Sequence, residues 1–168
     1  METRAYIGLG SNLDDPAAQL RRARAALADL PETRLVAVSS VYRSRPLYEA
    51  GKGTPDQPDF CNAVAALDTR LTAEALLAAL LRIEDRQGRT RAQRWGPRTL
   101  DLDLLLYGDE QRRSPRLMLP HPGLTQRAFV LYPLHEIAPG LEIPGHGALG
   151  ECLKRCPADG LERQTQPL

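Results

Sequence analysis

The chain has 168 residues, a formal net charge of +1 at pH 7 and a hydrophobic fraction of 42%. Because the charges nearly balance, no overall field favours nucleic acid or an anionic membrane, and any functional charge must be local. A chain of this length can bury roughly 70% of its unfolded surface. The sequence predicts one domain over residues 1–156, followed by a poorly ordered polar tail over 157–168.

The three cysteines, Cys61, Cys152 and Cys156, indicate neither a disulfide framework nor a zinc site. Their number is odd, and no cysteine or histidine pair lies near the C-terminal two to complete four metal ligands. The N-terminus has no apolar signal segment, and no stretch approaches the roughly 18 apolar residues of a membrane span. We therefore expect reduced thiols and a cytoplasmic protein.

The first half of the chain alternates between strand and helix patterns. Asp15 before Pro16 is typical of a helix N-cap followed by the first helical position. Residues 45–60 contain three prolines and two glycines without periodicity, which is typical of a binding loop in a compact domain. The predicted elements are a strand over residues 4–12, a helix over 16–30, and strands over 34–44 and 61–69.

The second half begins with a predicted helix over residues 73–87, capped by Thr72 and closed by Gly88. Glu84 lies near the end of its apolar stripe, so this carboxylate is either frayed at the surface or faces a ligand. A strand over 100–107 follows, and then a helix over 124–137 that is interrupted at Pro133. The order βαββαβ predicts an α+β, ferredoxin-like fold with an antiparallel sheet, helices packed on it, and C-terminal additions.

Two aspartates interrupt the most apolar strand, whose sequence is LDLDLLLY. Side chains alternate across a strand, so Asp101 and Asp103 share a face with Leu105, and the even-numbered leucines from 100 to 106 take the other. Carboxylates about 6–7 Å apart repel by about 2–3 kcal/mol at an effective dielectric of 20. A solvated face would tolerate this pair, but aspartate is disfavoured in strands. A divalent cation held by both carboxylates is the favoured interpretation, and oxygen ligands suit Mg²⁺.

A basic segment lies just upstream, with five arginines and no acidic residue in RQGRTRAQRWGPR. Arginine binds phosphate oxygens bidentately, so this segment beside the aspartate pair predicts a Mg²⁺–polyphosphate site. An alternative is a surface that contacts RNA, with Trp95 as a stacking platform. The N-terminal GLGSNLDD is neither a Walker A loop nor a complete G-x-G-x-x-G motif. We interpret Gly8 and Gly10 as residues that permit a tight turn from strand to helix.

Three segments together resemble the 6-hydroxymethyl-7,8-dihydropterin pyrophosphokinase family of folate biosynthesis. They are AYIGLGSNL, RWGPRTLDLDLLLYG and LPHPGLTQRAFVLYPLHEIAP, in this order between Ala5 and Pro139. The resemblance implies a ferredoxin-like enzyme that transfers the β,γ-diphosphate of ATP to the hydroxymethyl oxygen of the pterin and releases AMP. It also implies two Mg²⁺ ions bound with ATP, and a monomer that binds neither nucleic acid nor membranes.

The resemblance further implies roles for individual residues by motif position. Asp101 and Asp103 would hold the metal ions and, with Arg89 and Arg98, form the catalytic group. A pterin ring would lie between Phe60 and Phe129. The full set implied for ATP is Glu84, Arg89, Arg91, Trp95, Arg98, Leu104, His121 and Arg127, and the set for the pterin is Ser44, Leu47, Phe60, Asn62, Trp95, Asp101 and Phe129.

Two alternative functions stay open for the sequence. The first is a ferredoxin-like module that binds nucleotide or RNA without catalysis, which predicts salt-dependent oligonucleotide binding that needs no Mg²⁺. The second is a Mg²⁺-dependent phosphotransferase with another acceptor, for which simple γ-transfer would release ADP rather than AMP.

Overall fold

The structure is a computed structural model that describes residues 1–13, 15–44, 59–88, 100–158 and 160–168. The described elements include ten strands, four α-helices and one 3-10 turn. The strands are β1 (Thr3–Ser11), β2 (Thr33–Val38), β3 (Ser40–Ser44), β4 (Phe60–Thr69), β5 (Asp101–Tyr107), β6 (Arg112–Arg113), β7 (Met118–Leu119), β8 (Glu142–Ile143), β9 (Gly147–Ala148) and β10 (Glu162–Pro167). The helical elements are α1 (Pro16–Ala28), α2 (Ala73–Arg86), a 3-10 turn (Leu124–Gln126), α3 (Ala128–Ile137) and α4 (Leu149–Lys154).

The predicted ferredoxin-like fold is confirmed. Six strands form an antiparallel sheet in the order β10–β3–β4–β1–β5, and β2 also pairs with β4. Helices α1 and α2 pack against one face of this sheet, where their leucines join the larger apolar core. Helices α3 and α4 belong to a second core on the other face. No helix of the described residues is long and apolar enough to cross a membrane.

The predicted N-caps of α1 and α2 are confirmed. The Asp15 carboxylate accepts a hydrogen bond from the backbone N–H of Ala18 at 3.4 Å, and the Thr72 hydroxyl accepts one from Ala75 at 3.1 Å. Each cap satisfies a backbone donor that the first turn of a helix leaves without an intrahelical partner. The two caps therefore define where the chain turns from the sheet onto its α1–α2 face.

The single strand predicted over residues 34–44 is divided at Ser39. Its backbone N–H donates to the carbonyl of Val64 at 2.9 Å, and its hydroxyl accepts from the N–H of Val64, also at 2.9 Å. The side chain thus replaces a ladder bond at the junction between β2 and β3. Both strands remain paired with β4, so the ferredoxin-like order is preserved.

The helix predicted over residues 124–137 is also divided, but not at the expected place. Arg127 has an extended backbone, with φ −119° and ψ 106°, and separates the 3-10 turn from α3. Pro133 lies inside α3 and does not interrupt it, although its missing N–H removes the hydrogen bond to the carbonyl of Phe129. The break that we predicted from the position of the proline is therefore wrong.

A β-bulge changes the face of the leucines in β5. Ile7 of β1 pairs with Leu104 and Tyr6 pairs with Leu106, so Leu105 is an extra residue in the strand. Leu105 and Leu106 both join the core on the α3 side. The expectation that Leu106 shares the face of Leu104 is wrong, because alternation holds only while the pairing is regular.

The C-terminal segment, expected to be a poorly ordered polar tail beyond residue 156, includes the edge strand β10 instead. This strand pairs with β3, and Leu168 behind it is only 7% exposed within the α1–α2 core. The guanidinium of Arg24 in α1 donates to the backbone oxygen of Leu168. Composition was misleading here, because main-chain hydrogen bonds hold an edge strand largely independently of side-chain polarity.

Leu168→Ala is expected to lower the free energy of unfolding by about 2–5 kcal/mol, because it removes buried apolar atoms and leaves a cavity. Urea denaturation followed by circular dichroism measures the change. Val36→Ala is the matched control, since Val36 is 41% exposed and should change stability by less than about 0.5 kcal/mol. Equal effects of the two substitutions would contradict the buried position of the C-terminal residue.

Candidate functional site

A polar row crosses the sheet on the face that carries α3. Tyr42 of β3 pairs with Asn62 of β4, Asn62 with Gly10 of β1, and Gly10 with Asp101 of β5. Residues paired across neighbouring strands point to the same face of a sheet. The register thus brings together an amide, a glycine and a carboxylate from three segments that are distant in sequence.

Asn62 is held in a fixed orientation at the centre of this row. It is only 4% exposed, and its Nδ2 donates to the Ser44 hydroxyl at 2.7 Å. A Cβ added to Gly10 would lie 3.1 Å from Asn62 Oδ1 and 3.8 Å from the Phe60 ring. We expected Gly8 and Gly10 to permit a turn, but both lie within β1. The glycine at position 10 leaves room beside the amide and the aromatic ring.

Asp101 and Asp103 lie on the same face of β5, as predicted. Both are half-buried, and the Asp103 side chain is 37% exposed. Among the described residues no group of three or more His, Cys, Asp or Glu side chains could hold a metal ion. Two carboxylates nevertheless fit Mg²⁺, which in proteins is bound by one or two carboxylates while waters and substrate phosphates supply its other oxygens. The aspartate pair is therefore suited to a metal that arrives with a phosphate ligand.

His121 lies against the outer edge of β5, where its backbone N–H donates to the carbonyl of Leu105 at 2.9 Å. Its Nδ1 accepts from the N–H of Gly123 at 3.2 Å, and its Nε2 is 3.8 Å from Asp103 Oδ1. Burial is the main reason that the pKa of His121 is lowered to about 4. The Arg127 guanidinium also lowers this pKa, whereas Asp101 raises it. The imidazole is thus neutral at pH 7. Since Nδ1 accepts, Nε2 carries the proton and is the nitrogen that faces Asp103.

Glu84 is neither frayed nor at the surface. It is 1% exposed, and its Oε2 accepts a hydrogen bond from the backbone N–H of Leu102 at 2.7 Å. Leu102 lies between the two aspartates on the edge strand of the sheet. The carboxylate that looked anomalous on the apolar face of α2 therefore supports the backbone from which both aspartates project.

A pocket of about 290 Å³ opens beside the aspartates. Its polar wall contains Glu84, His121 and the two aspartates. Of the apolar lining residues, only Leu104 belonged to the predicted site. The rest of the apolar wall was not predicted from the sequence, although Leu81 and Met118 are exposed apolar side chains. The lining residues not predicted are Leu77, Leu81, Leu102, Pro115, Arg116, Leu117, Met118 and Pro122.

Arg127 and Phe129 are neighbours at the start of α3. The Arg127 guanidinium carbon is 5.9 Å from the centroid of the Phe129 ring. The same guanidinium lies over Gly123, where an added Cβ would be 2.5 Å from its Nε. This arrangement places a cation between the turn that follows His121 and the aromatic ring of α3.

The structure thus brings together nine of the predicted residues that lie within its described part, and Leu104 lines the adjoining pocket. The nine lie on β3 (Ser44), β4 (Phe60 and Asn62), α2 (Glu84), β5 (Asp101 and Asp103), the segment after β7 (His121) and the start of α3 (Arg127 and Phe129). Five predicted residues, Leu47, Arg89, Arg91, Trp95 and Arg98, fall outside the described residues and stay predictions.

Comparisons with known proteins show the family of the chain. A model of the 7,8-dihydro-6-hydroxymethylpterin-pyrophosphokinase (HPPK) family matches residues 6–139. The chain is 53% identical over 163 residues to the 2-amino-4-hydroxy-6-hydroxymethyldihydropteridine pyrophosphokinase of Pseudomonas aeruginosa, covering 97% of this chain and 98% of that protein. It is 49% identical over 151 residues to the protein of the same name from Haemophilus influenzae, covering 90% and 91%.

A solved structure shares the fold at much lower identity. Wild-type Plasmodium falciparum HPPK-DHPS with pteroate superposes with a TM-score of 0.73 at 11% sequence identity. The match covers 92% of this chain and 44% of that one, so the chain spans less than half of the longer protein. This likeness shows the fold alone.

Glu84→Ala is expected to lower the free energy of unfolding by about 1–3 kcal/mol, because it leaves the N–H of Leu102 without its carboxylate acceptor. Glu142→Ala is the control, since Glu142 is exposed and its loss should cost less than about 0.5 kcal/mol. Urea denaturation compares the two. A Glu84 variant as stable as the control would contradict the role of this carboxylate in supporting β5.

Proposed function

Because the chain belongs to the 7,8-dihydro-6-hydroxymethylpterin-pyrophosphokinase family, we propose that it transfers the β,γ-diphosphate of ATP to 6-hydroxymethyl-7,8-dihydropterin. The products are the pterin diphosphate and AMP. The family and the names of its relatives make the protein a pyrophosphokinase acting on the hydroxymethyl pterin. ATP as donor, the metal and the residue roles belong to the proposal.

One observation carries the proposal: Asp101 belongs to two neighbouring regions at once. It ends the polar row next to Gly10, and it also lines the pocket beside His121. A diphosphate that passes from one bound substrate to another has to cross the boundary between their sites. The two carboxylates lie at such a boundary.

The polar row is suited to a flat heterocycle with donors and acceptors on its edge. Asn62 carries both kinds of group, and Ser44 holds its amide in place. Gly10 lets this amide lie close to β1, because an added Cβ would be 3.1 Å from Asn62 Oδ1. Phe60 and Phe129 supply aromatic rings, which favour stacking on a conjugated ring system. Leu47 and Trp95 would complete this site from the segments outside the described residues.

The pocket on the other side of the aspartates is suited to a nucleotide. Its apolar wall, which includes Leu77, Leu81 and Met118, offers a surface for the base. The Nε2–H of His121 and the guanidinium of Arg127 would donate to phosphate oxygens. Glu84 would act through the backbone of β5, which is a narrower role than the contact with ATP that we expected.

Asp101 and Asp103 would hold two Mg²⁺ ions with ATP, using oxygen ligands alone. When bound, such ions activate an attacking oxygen and stabilise a leaving phosphate. Two hydrogen-bonding groups near the pair, Asn62 and His121, are held by a side-chain and a backbone atom, so little reorganisation is needed when substrates bind.

The chemical step is an in-line displacement at the β-phosphorus. The bond from the pterin oxygen to phosphorus forms, the bond to the AMP oxygen breaks, and Asp101 or a water molecule accepts the hydroxyl proton. Arg89 and Arg98 would neutralise the charge on the transferred oxygens, while Arg91 and Trp95 would close over the site and exclude water. Rate enhancement then comes mainly from positioning and electrostatics.

The proposal is tested by incubating the protein with Mg²⁺, ATP and 6-hydroxymethyl-7,8-dihydropterin and separating AMP from ADP. We expect AMP only when pterin is present, in equal amount to the pterin diphosphate. ADP would overturn diphosphoryl transfer in favour of simple phosphoryl transfer. Salt-dependent oligonucleotide binding without any turnover would favour a binding module instead.

Size-exclusion chromatography with light scattering tests the proposed monomer.

Asp103→Ala is expected to lower kcat by at least about 100-fold, because it removes one of the two carboxylates of the proposed metal site. Thermal melting should show that the variant is folded. Asp109→Ala is the matched control, since Asp109 is an exposed aspartate just after β5 and should keep normal turnover. A kcat for the Asp103 variant near that of the control would overturn the metal assignment.

A further inference from the structure

Glu136, near the end of α3, is the acceptor of a compact hydrogen-bond cluster on β3. Its carboxylate accepts from the backbone N–H of Ser40 at 3.0 and 3.2 Å, from the Ser40 hydroxyl at 3.0 Å and from the Tyr42 hydroxyl at 2.7 Å. Arg163 of β10 forms an ion pair with it at 3.4 Å and also donates to the Ser40 hydroxyl at 3.2 Å. One side chain therefore connects a helix, an inner strand and the C-terminal strand.

The cluster is connected through α3 and β3 to groups that the proposed pterin site needs. Glu136 is seven residues after Phe129, so the two lie on the same side of α3, about 10.5 Å apart along its axis. On β3, Tyr42 is two residues before Ser44 and shares its face. Tyr42 is also the register partner of Asn62. Glu136 thus attaches the Phe129 helix to the strand that holds the Asn62 amide.

We propose that Glu136 is a positioning residue for the pterin site, which fixes the distance between Phe129 and the Ser44–Asn62 pair. This inference rests on the proposed function, because it takes the pterin to bind between these groups. Glu136 acts on these groups through α3 and β3.

The physical basis is the number and strength of the contacts at this one point. Hydrogen bonds to a charged acceptor are shorter and stronger than those between neutral groups. Burial and the neighbouring Glu136 carboxylate raise the pKa of Tyr42, so its hydroxyl stays a donor throughout the neutral range. Elsewhere α3 contacts the sheet through apolar side chains such as Val130 and Leu134. Apolar contacts are non-directional and would allow the helix to slide, whereas this cluster fixes its position along β3.

The test compares Glu136→Gln with the wild-type protein in two titrations. The first measures the Kd of a non-hydrolysable ATP analogue with Mg²⁺, and the second measures the Kd of 6-hydroxymethyl-7,8-dihydropterin in the presence of that analogue. We expect the pterin Kd to rise about five- to tenfold, the effect of one or two weakened hydrogen bonds. The Kd of the analogue should stay within about twofold of wild type, because the pocket does not include the cluster.

Tyr132→Phe is the matched control on the same helix. It removes a hydroxyl, as Tyr42→Phe does, but the Tyr132 hydroxyl donates to the carbonyl of Cys156 and not to the sheet. Its pterin Kd should equal that of wild type. Tyr42→Phe should raise the pterin Kd in the same direction as Glu136→Gln, and the double variant should show less than the product of the two effects. If Glu136→Gln does not fold, Tyr42→Phe alone carries the test.

The outcomes separate this inference from the function on which it rests. Wild-type protein that binds the ATP analogue but no pterin would overturn the proposed function. Wild-type protein that binds pterin normally, with an unchanged Kd in the Glu136 and Tyr42 variants, would overturn the positioning role alone. Equal weakening of pterin and analogue binding would also overturn it, because the cluster would then act on general stability.

Discussion

The pairing of β1 with both β4 and β5 is the constraint on which the rest of the structure depends. It places Gly10 between Asn62 and Asp101, and Gly8 between Val64 and Asp103. A central strand with side chains at positions 8 and 10 would occupy the surface between the amide and the carboxylates. Glycine at these positions lets side chains lie close over β1, because an added Cβ would be 3.1 Å from Asn62 Oδ1 at position 10 and 3.5 Å from the Leu105 side chain at position 8.

The edge strand β5 has a second requirement, because its outer backbone groups need partners in order to stay in place. Glu84 from α2 accepts the N–H of Leu102, and the N–H of His121 donates to the carbonyl of Leu105. These partners come from distant parts of the chain, one from α2 and the other from the segment after β7. The carboxylates therefore project from a backbone that is held on both edges, which is what a preorganised electrostatic site needs.

Part of this arrangement could be predicted from the sequence, because it depends on neighbouring residues. The caps at Asp15 and Thr72 are local, and so is the alternation that puts Asp101 and Asp103 on one face. Three segments, among them RWGPRTLDLD, were sufficient to indicate the family, while the metal-assisted reaction inferred from the aspartate pair stays a proposal. The predictions were wrong where the structure depends on a distant partner. The bulge at Leu105 depends on the register of β5 with β1, and the C-terminal strand forms because it pairs with an open edge at β3.

By itself the sequence determined the types of element, the ferredoxin-like order and the chemical character of the groups in the site. Only the tertiary structure decided that Glu84 supports β5, that the pocket has an apolar wall from α2 and the β6–β7 hairpin, and that Glu136 connects α3 to β3. The physical reason is that secondary structure follows from interactions over a few residues. A site instead follows from which elements pack together, and that depends on the whole chain at once.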